Sequence, residues 1–334
     1  MSSEGVSPEG SRLQGVGPQG IRLPGFSEVR DAAARIAPYA LVTPVMRSDR
    51  IDALVGAPVF FKCENLQRGG AFKFRGATNA VWSLSDEDAA RGVVTHSSGN
   101  HGNALAMAAL TRGIPAHVVV PEGAVQAKVD AIVAAGATVH RCAATTAARE
   151  AKAAEVQAAT GAGLVHPYAD IRVIAGQGTL VPELFRQVPG LDTVLFPVGG
   201  GGLAAGCSIA AHGIDPGVVL FGAEPEGADD AARSLEADAR VGTFVPHTLC
   251  DGLRTLIGEP NFHALRDHQV HVLRVSDDEA IAAMKLIWSE LRIVVEVSSA
   301  TVLAAMLRYP EHFAGRRTGA VLTGGNVDLN QLPW

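Results

Sequence analysis

Little in this sequence suits it to nucleic acid or to a bilayer. Phe, Trp and Tyr make up 5% of its 334 residues, and 28 Lys and Arg stand against 34 Asp and Glu, a net charge of −6. No basic run interrupts that balance. Neutralising a phosphate backbone takes clustered Lys and Arg, so a nucleic-acid partner is not expected. No apolar run approaches the roughly 20 residues that cross a membrane. The N-terminus also lacks the apolar core of a secretory signal. Cysteine is scarce: Cys63, Cys142, Cys207 and Cys250 are widely spaced, with no CxxC pair. That argues against a zinc site or a disulfide framework and for free thiols in a reducing, cytoplasmic setting.

What is present is apolar and finely alternating. At 47% hydrophobic residues, the chain can bury one large core or two medium ones. Strand-like runs occur at Val59–Phe61, Val93–Thr95, His117–Val120, Thr138–His140, Thr193–Val198, Val218–Gly222, Val270–Val275 and Ala320–Leu322. Helical stretches lie between them, most clearly Ala147–Ala159 and Asp277–Leu291, the latter with Ser276 as its N-cap and acids in its first turn. Ala116–Val120 and Ala137–Arg141 flank a helical stretch at Val125–Ala135, the spacing of one βαβ unit. Such alternation predicts an α/β protein of parallel sheets covered by helices on both faces. Residues 1–26 are polar and rich in Gly and Pro, with a short imperfect repeat, and read as a disordered tail.

Four segments carry chemistry. In Gly70-Ala71-Phe72-Lys73-Phe74-Arg75-Gly76 a lysine sits between two aromatics. Desolvation lowers the pKa of such an amine, and the neutral amine can form a Schiff base with a carbonyl cofactor. Taken alone, the segment is also what a solvated lysine at a helix start looks like. Ser97-Ser98-Gly99-Asn100-His101-Gly102 lies between a predicted strand and a predicted helix. Gly199-Gly200-Gly201-Gly202 directly follows the run Val194–Val198 and precedes another helical stretch. Four glycines let the backbone approach a ligand closely, and the helix start adds free N–H groups, which together make a phosphate cradle. Thr323-Gly324-Gly325-Asn326 follows Ala320–Leu322. Each is a turn near the carboxyl end of a predicted strand, where open α/β sheets bind ligands.

With Phe61–Gln67, Val173–Thr179, Ala223-Glu224-Pro225 and Ala228-Asp229-Asp230, these segments resemble the fold-type II pyridoxal-phosphate (PLP) enzymes of the serine racemase and threonine/serine dehydratase family. The likeness runs in order from about residue 27 to 330. It implies two open twisted sheets covered by helices, the architecture shared with the tryptophan synthase β chain. It further implies a small domain, residues 65–165, inserted into a large PLP-binding domain built from 27–64 and 166–334. A homodimer and the absence of a C-terminal regulatory module are implied as well.

The resemblance assigns Lys73 to the Schiff base and to Cα proton transfer, and places Phe72 against the cofactor ring. Gly199, Gly200, Gly201 and Gly202 would hold the phosphate. Asn100 would meet the cofactor's phenolic oxygen, and Thr323 its ring nitrogen. A neutral hydroxyl there leaves the nitrogen unprotonated, which favours prompt loss of a β-substituent. Ser97, Ser98, Gly99, Asn100 and His101 would hold the substrate carboxylate. Ser98 has a second reading, as an acid/base on the cofactor face opposite Lys73. Arg149 falls where racemase-like relatives have an arginine near the substrate, and it could pair with a second carboxylate; a solvated helix arginine is the alternative. Glu224, the Ala228 carbonyl and Asp230 match a site for Mg2+ or Ca2+, against the alternative of a solvated acidic loop. Two departures from the family pattern stand out: Tyr168, at a variable position, and Val297, where a proline is common.

The expected function is dehydration of a β-hydroxy amino acid such as L-threonine or L-serine to an α-keto acid and ammonia. Serine racemisation and 3-hydroxyaspartate dehydration are alternatives. A non-catalytic PLP-binding or amino-acid-sensing protein is a further one.

Overall fold

The computed structural model describes residues 22–334. Ten strands are found among them, in two sheets. In chain order they are β1 (Val45–Met46), β2 (Val59–Cys63), β3 (Val93–Thr95), β4 (Ala116–Pro121), β5 (Thr138–Cys142), β6 (Gly163–Leu164), β7 (Thr193–Pro197), β8 (Val219–Pro225), β9 (His271–Val275) and β10 (Thr318–Leu322). The larger sheet has the order β1-β2-β10-β7-β8-β9 and the smaller β5-β4-β3-β6. All four strands of the smaller sheet fall between residues 93 and 164.

The predicted strands are all present, and every residue of β2, β7 and β10 is buried. Strands covered on both faces read as continuous apolar runs, which is why they could be found. The expectation of purely parallel sheets needs one correction: β1 pairs with β2 antiparallel. It is an edge strand of two residues, too short to show any period. β6 is equally short and was not predicted. The N-terminal tail reading lies mostly outside the described residues. Within them, Leu23 and Phe26 pack against the core of the larger sheet, and Phe26 opens the helix Phe26–Ile36.

Three helices meet through glycine. Gly76 lies in Lys73–Trp82, Gly176 and Gly178 in Ile171–Gly178, and Gly206 in Gly202–Ile214. A Cβ on Gly176 would stand 2.6 Å from the Gly76 Cα, and one on Gly206 would stand 2.2 Å from the Ile174 carbonyl oxygen. The Gly76 amide also donates to Gln177 Oε1 at 3.0 Å. These helices therefore touch backbone to backbone.

A buried ionic network anchors the first of them. Arg75 donates through Nε and Nη2 to Glu64, at 2.7 and 2.9 Å, and through both Nη atoms to Glu183, at 2.8 Å each. Lys62 Nζ donates to Glu183 and to the Thr43 carbonyl, both at 2.8 Å. Two cations balance two anions. Loss of one partner from such a set is poorly tolerated, because an uncompensated buried charge costs about 3–5 kcal/mol.

Candidate active site

Lys73 opens its helix, and the loop before it is stitched to the turn after β10. Ala71 bridges Gly324, the Phe72 amide donates to the Thr323 carbonyl at 3.0 Å, and the Gly325 amide donates to Gly70 at 2.9 Å. Two of the predicted segments, some 250 residues apart, thus form one surface. Lys73 Nζ donates to the Pro167 carbonyl at 2.9 Å and lies 5.0 Å from the Phe72 ring centroid. Burial pulls its pKa down to about 8, against the opposing pull of Glu296. The amine is therefore easier to deprotonate than a solvated lysine, and the plain helix-start reading does not describe it.

Asn100 begins the helix Asn100–Arg112 at the carboxyl end of β3. Its Nδ2 donates to both oxygens of Glu296, at 3.1 and 3.2 Å, and its Oδ1 accepts from Asn326 Nδ2 at 2.9 Å. Asn326 in turn donates to the Gly69 carbonyl at 2.8 Å. Glu296 is buried, and burial raises its carboxyl to about 7. Ser97, Ser98 and Gly99 are half-buried in the same turn. No cap or side-chain bond engages the Ser98 hydroxyl among the described residues. His101 is buried, with Nε2 3.4 Å from the Val165 carbonyl and a pKa pushed well down by burial.

The Gly199–Gly202 turn follows β7 and opens the helix Gly202–Ile214. Gly201 has φ 83°, a left-handed conformation that side chains rarely adopt. A Cβ on Gly200 would lie 2.5 Å from the Tyr168 ring, and one on Gly202 would lie 2.7 Å from the Tyr168 carbonyl oxygen. Tyr168 thus crowds Gly200 and Gly202, while a Cβ on Gly199 would lie 2.8 Å from the Leu253 Cα and one on Gly201 2.8 Å from the Asn261 Cβ. Asn261 Nδ2 donates to the Gly200 carbonyl at 2.5 Å and to the Tyr168 carbonyl at 2.9 Å. A backbone turn of this kind at a helix N-terminus offers N–H groups to a phosphate.

Thr323 is buried, and its Oγ1 lies 2.9 Å from Ser299 Oγ. The two hydroxyls form a neutral pair at the carboxyl end of β10. Val297 occupies the first position of the helix Val297–Arg308, with Glu296 as its N-cap. That position suits proline but does not require it, which accounts for the departure noted in the sequence.

Arg149 sits in the first turn of the helix Thr146–Thr160. Its Nη2 donates to Thr146 Oγ1 at 3.2 Å, while its Nε is buried with no partner among the described residues. Its charge helps hold His96 below the ordinary histidine value, after burial. The arginine is therefore within electrostatic reach of the residue that precedes the Ser97–Gly102 turn.

Glu224 and Asp230 are buried, so the solvated-loop reading does not hold. Glu224 accepts from the Ala231 and Ala232 amides at 3.2 and 3.0 Å. Asp230 Oδ2 accepts from the Ile257 amide at 2.7 Å, and its Oδ1 is buried without a partner. Burial pushes Glu224 well up and Asp230 to about 6. Two carboxylates and the buried Ala228 are the donor chemistry of a hard cation. Among the described residues no three His, Cys, Asp or Glu side chains gather as a metal cluster.

Asn261, Ser299 and Glu296 were given no role from the sequence. Asn261 carries no local signal. Glu296 and Ser299 lie in the Val295–Ser299 segment, which had drawn notice only for Val297.

Comparison with known proteins agrees with this geometry. The family described as pyridoxal-phosphate dependent enzyme matches residues 36–324. A β-hydroxyaspartate dehydratase from Paracoccus denitrificans is 49% identical over 311 residues, covering 93% of this chain and 99% of that protein. A serine racemase from Dictyostelium discoideum is 44% identical, covering 91% and 95%. The solved structure of maize serine racemase superposes with a TM-score of 0.90 at 43% identity, covering 92% and 94%. A lysine amine with a lowered pKa and a glycine turn at a helix start suit the aldehyde and phosphate ends of the cofactor in that family's description. The chain belongs to the fold-type II pyridoxal-phosphate-dependent enzymes, in the family of the serine racemases and the threonine/serine dehydratases.

Proposed function

We propose that this enzyme dehydrates β-hydroxy amino acids to α-keto acids and ammonia, with 3-hydroxyaspartate as its preferred substrate. Pyridoxal phosphate, when bound, supplies an electron sink for the charge left by a departing Cα proton. The residues around it then have distinct tasks. Lys73 would hold the cofactor, and its amine would take the Cα proton. The Gly199–Gly202 amides would bind the phosphate, and Phe72 would pack beside the ring. Asn100, whose Nδ2 donates to Glu296 in this structure, would turn to the cofactor's phenolic oxygen, and Thr323 would offer the ring nitrogen a neutral hydroxyl. The Ser97–His101 turn holds the α-carboxylate. Net loss of water across Cα–Cβ, then hydrolysis, gives the keto acid and ammonia.

The observation that carries the substrate preference is the buried, partnerless Nε of Arg149. A buried donor without a partner is costly, and a second substrate carboxylate would satisfy it. The 49% identity to a β-hydroxyaspartate dehydratase supports the same reading. Keto-acid release from 3-hydroxyaspartate, L-serine, D-serine and L-threonine tests it. The highest kcat/KM is expected for 3-hydroxyaspartate. Arg149→Met should lower that value by about 10- to 100-fold, the worth of a charged hydrogen bond, and leave L-serine nearly unchanged. Equal losses for both substrates would remove Arg149 from the recognition of the second carboxylate.

Serine racemisation is the second reading, favoured by the unengaged Ser98 hydroxyl and by the serine racemase relatives. The intact lysine and glycine turn set both above a sensing role. The proposal includes a cytoplasmic homodimer. Free cysteines support the first part, and among the described residues no helix is long and apolar enough to cross a membrane.

We also propose that Glu224, the Ala228 carbonyl and Asp230 bind Mg2+ or Ca2+. A cation there would offset two buried carboxylates and engage the orphaned Asp230 Oδ1. The melting temperature should rise with added Mg2+ and fall with EDTA, as mass action requires. Asp230→Ala should lose that response. A wild-type protein indifferent to both additions would rule the site out.

A further inference from the structure

The smaller sheet carries a histidine pair that the chemistry above does not use. His117 lies on β4 and His140 on β5, where the register opposes His117 to Thr138 and Val119 to His140. The two histidines are diagonal neighbours on one face. His117 Nδ1 and His140 Nε2 are 3.2 Å apart, with ring centroids 5.3 Å apart and planes inclined at 49°. Neither ring is fully buried. Two imidazole nitrogens bound to one ion at about 2.0–2.1 Å and a tetrahedral angle stand about 3.3 Å apart.

We infer that His117 and His140 form a two-histidine site for a divalent transition-metal ion, Cu2+ or Zn2+, with water completing its coordination. Without the ion, the same contact is an N–H···N hydrogen bond. Moving the ring protons to His117 Nε2 and His140 Nδ1 leaves a lone pair on each facing nitrogen, so binding releases no proton. Burial holds both rings below the ordinary histidine value, which keeps them in the neutral, ligating form at neutral pH. Lys152, from the helix that covers this face, would repel a cation, but it is paired with Glu155 at 2.8 Å. With two protein ligands the site exchanges its ion readily and should prefer Cu2+ over Zn2+. β5 is the outer strand of its sheet and is hydrogen-bonded only to β4. An ion held across the pair would tie that edge strand down.

Calorimetric titration of the holoenzyme with CuCl2 and then with ZnCl2, without amino acid present, tests the inference. Wild type should take up a copper ion that His117→Gln and His140→Gln each bind at least about 10-fold more weakly. Its melting temperature should rise with copper, and the double variant should lose that rise. Nitrogen hyperfine splitting in the copper spectrum should report two imidazoles in wild type and vanish in the double variant. A double variant that keeps the wild-type copper affinity and spectrum would overturn the site. So would a wild-type protein that binds neither ion.

Discussion

Lys73→Ala should abolish the visible absorbance of the lysine-bound cofactor and reduce turnover by at least about 10⁴-fold. Two losses combine in it. The covalent link between protein and cofactor disappears, and so does the amine proposed to take the Cα proton, a contribution typically worth about 10²–10⁴-fold by itself. The structure makes Lys73 a better candidate than Lys62, the other lysine held inside the fold. Lys62 is committed to Glu183 and the Thr43 carbonyl, whereas Lys73 hydrogen-bonds to a neutral carbonyl and to no carboxylate. Spectra and single-turnover assays of purified Lys73→Ala decide the matter. A variant that keeps the absorbance band and the wild-type rate would place the covalent link elsewhere.

Ser98→Ala should divide the two faces of the reaction. If Ser98 is an acid/base opposite Lys73, D-serine turnover and racemisation should fall by about 10²-fold or more. Elimination from L-serine should largely survive, because Lys73 works from the other side. If Ser98 only holds the carboxylate, both enantiomers should lose affinity together, by the about 0.5–1.5 kcal/mol of one neutral hydrogen bond. Steady-state kinetics on both enantiomers separate these outcomes. Parallel small losses would leave the protein a dehydratase with no second proton-transfer group at this position.

The lysine, the glycine turn and the two carboxyl-end turns could be read from sequence because each is local. A strand buried on both faces is a continuous apolar run, and the turn after it is conspicuous. What completes the site is not local. Lys73 meets the carbonyl of Pro167, 94 positions away, and Asn100 meets Glu296, 196 positions away. Asn261 fastens the Gly199–Gly202 turn to Tyr168, yet nothing around it in the chain announces that task. Burial sets Glu224 and Asp230 apart from an ordinary acidic loop. Their spacing alone is what any acidic loop would show, and only the fold puts both carboxylates out of water. β1 and β6 escaped for a simpler reason: two residues cannot display a period.

The glycine contacts among the three helices have a dimensional consequence. Gly76 of the Lys73 helix rests on Gly176, and Gly178 of that same middle helix rests on Gly206 of the helix that begins at the Gly199–Gly202 turn. The lysine and the turn are therefore separated by one intervening helix that presents a glycine to each neighbour. Backbone meets backbone between Gly176 and Gly76 and between Gly178 and Gly206, and the Gln177 side chain, held by the Gly76 amide, fills the space beside the first of them. A side chain larger than hydrogen at Gly76, Gly176, Gly178 or Gly206 would push these helices apart, so the span from lysine to turn acts as a gauge block for whatever bridges the two.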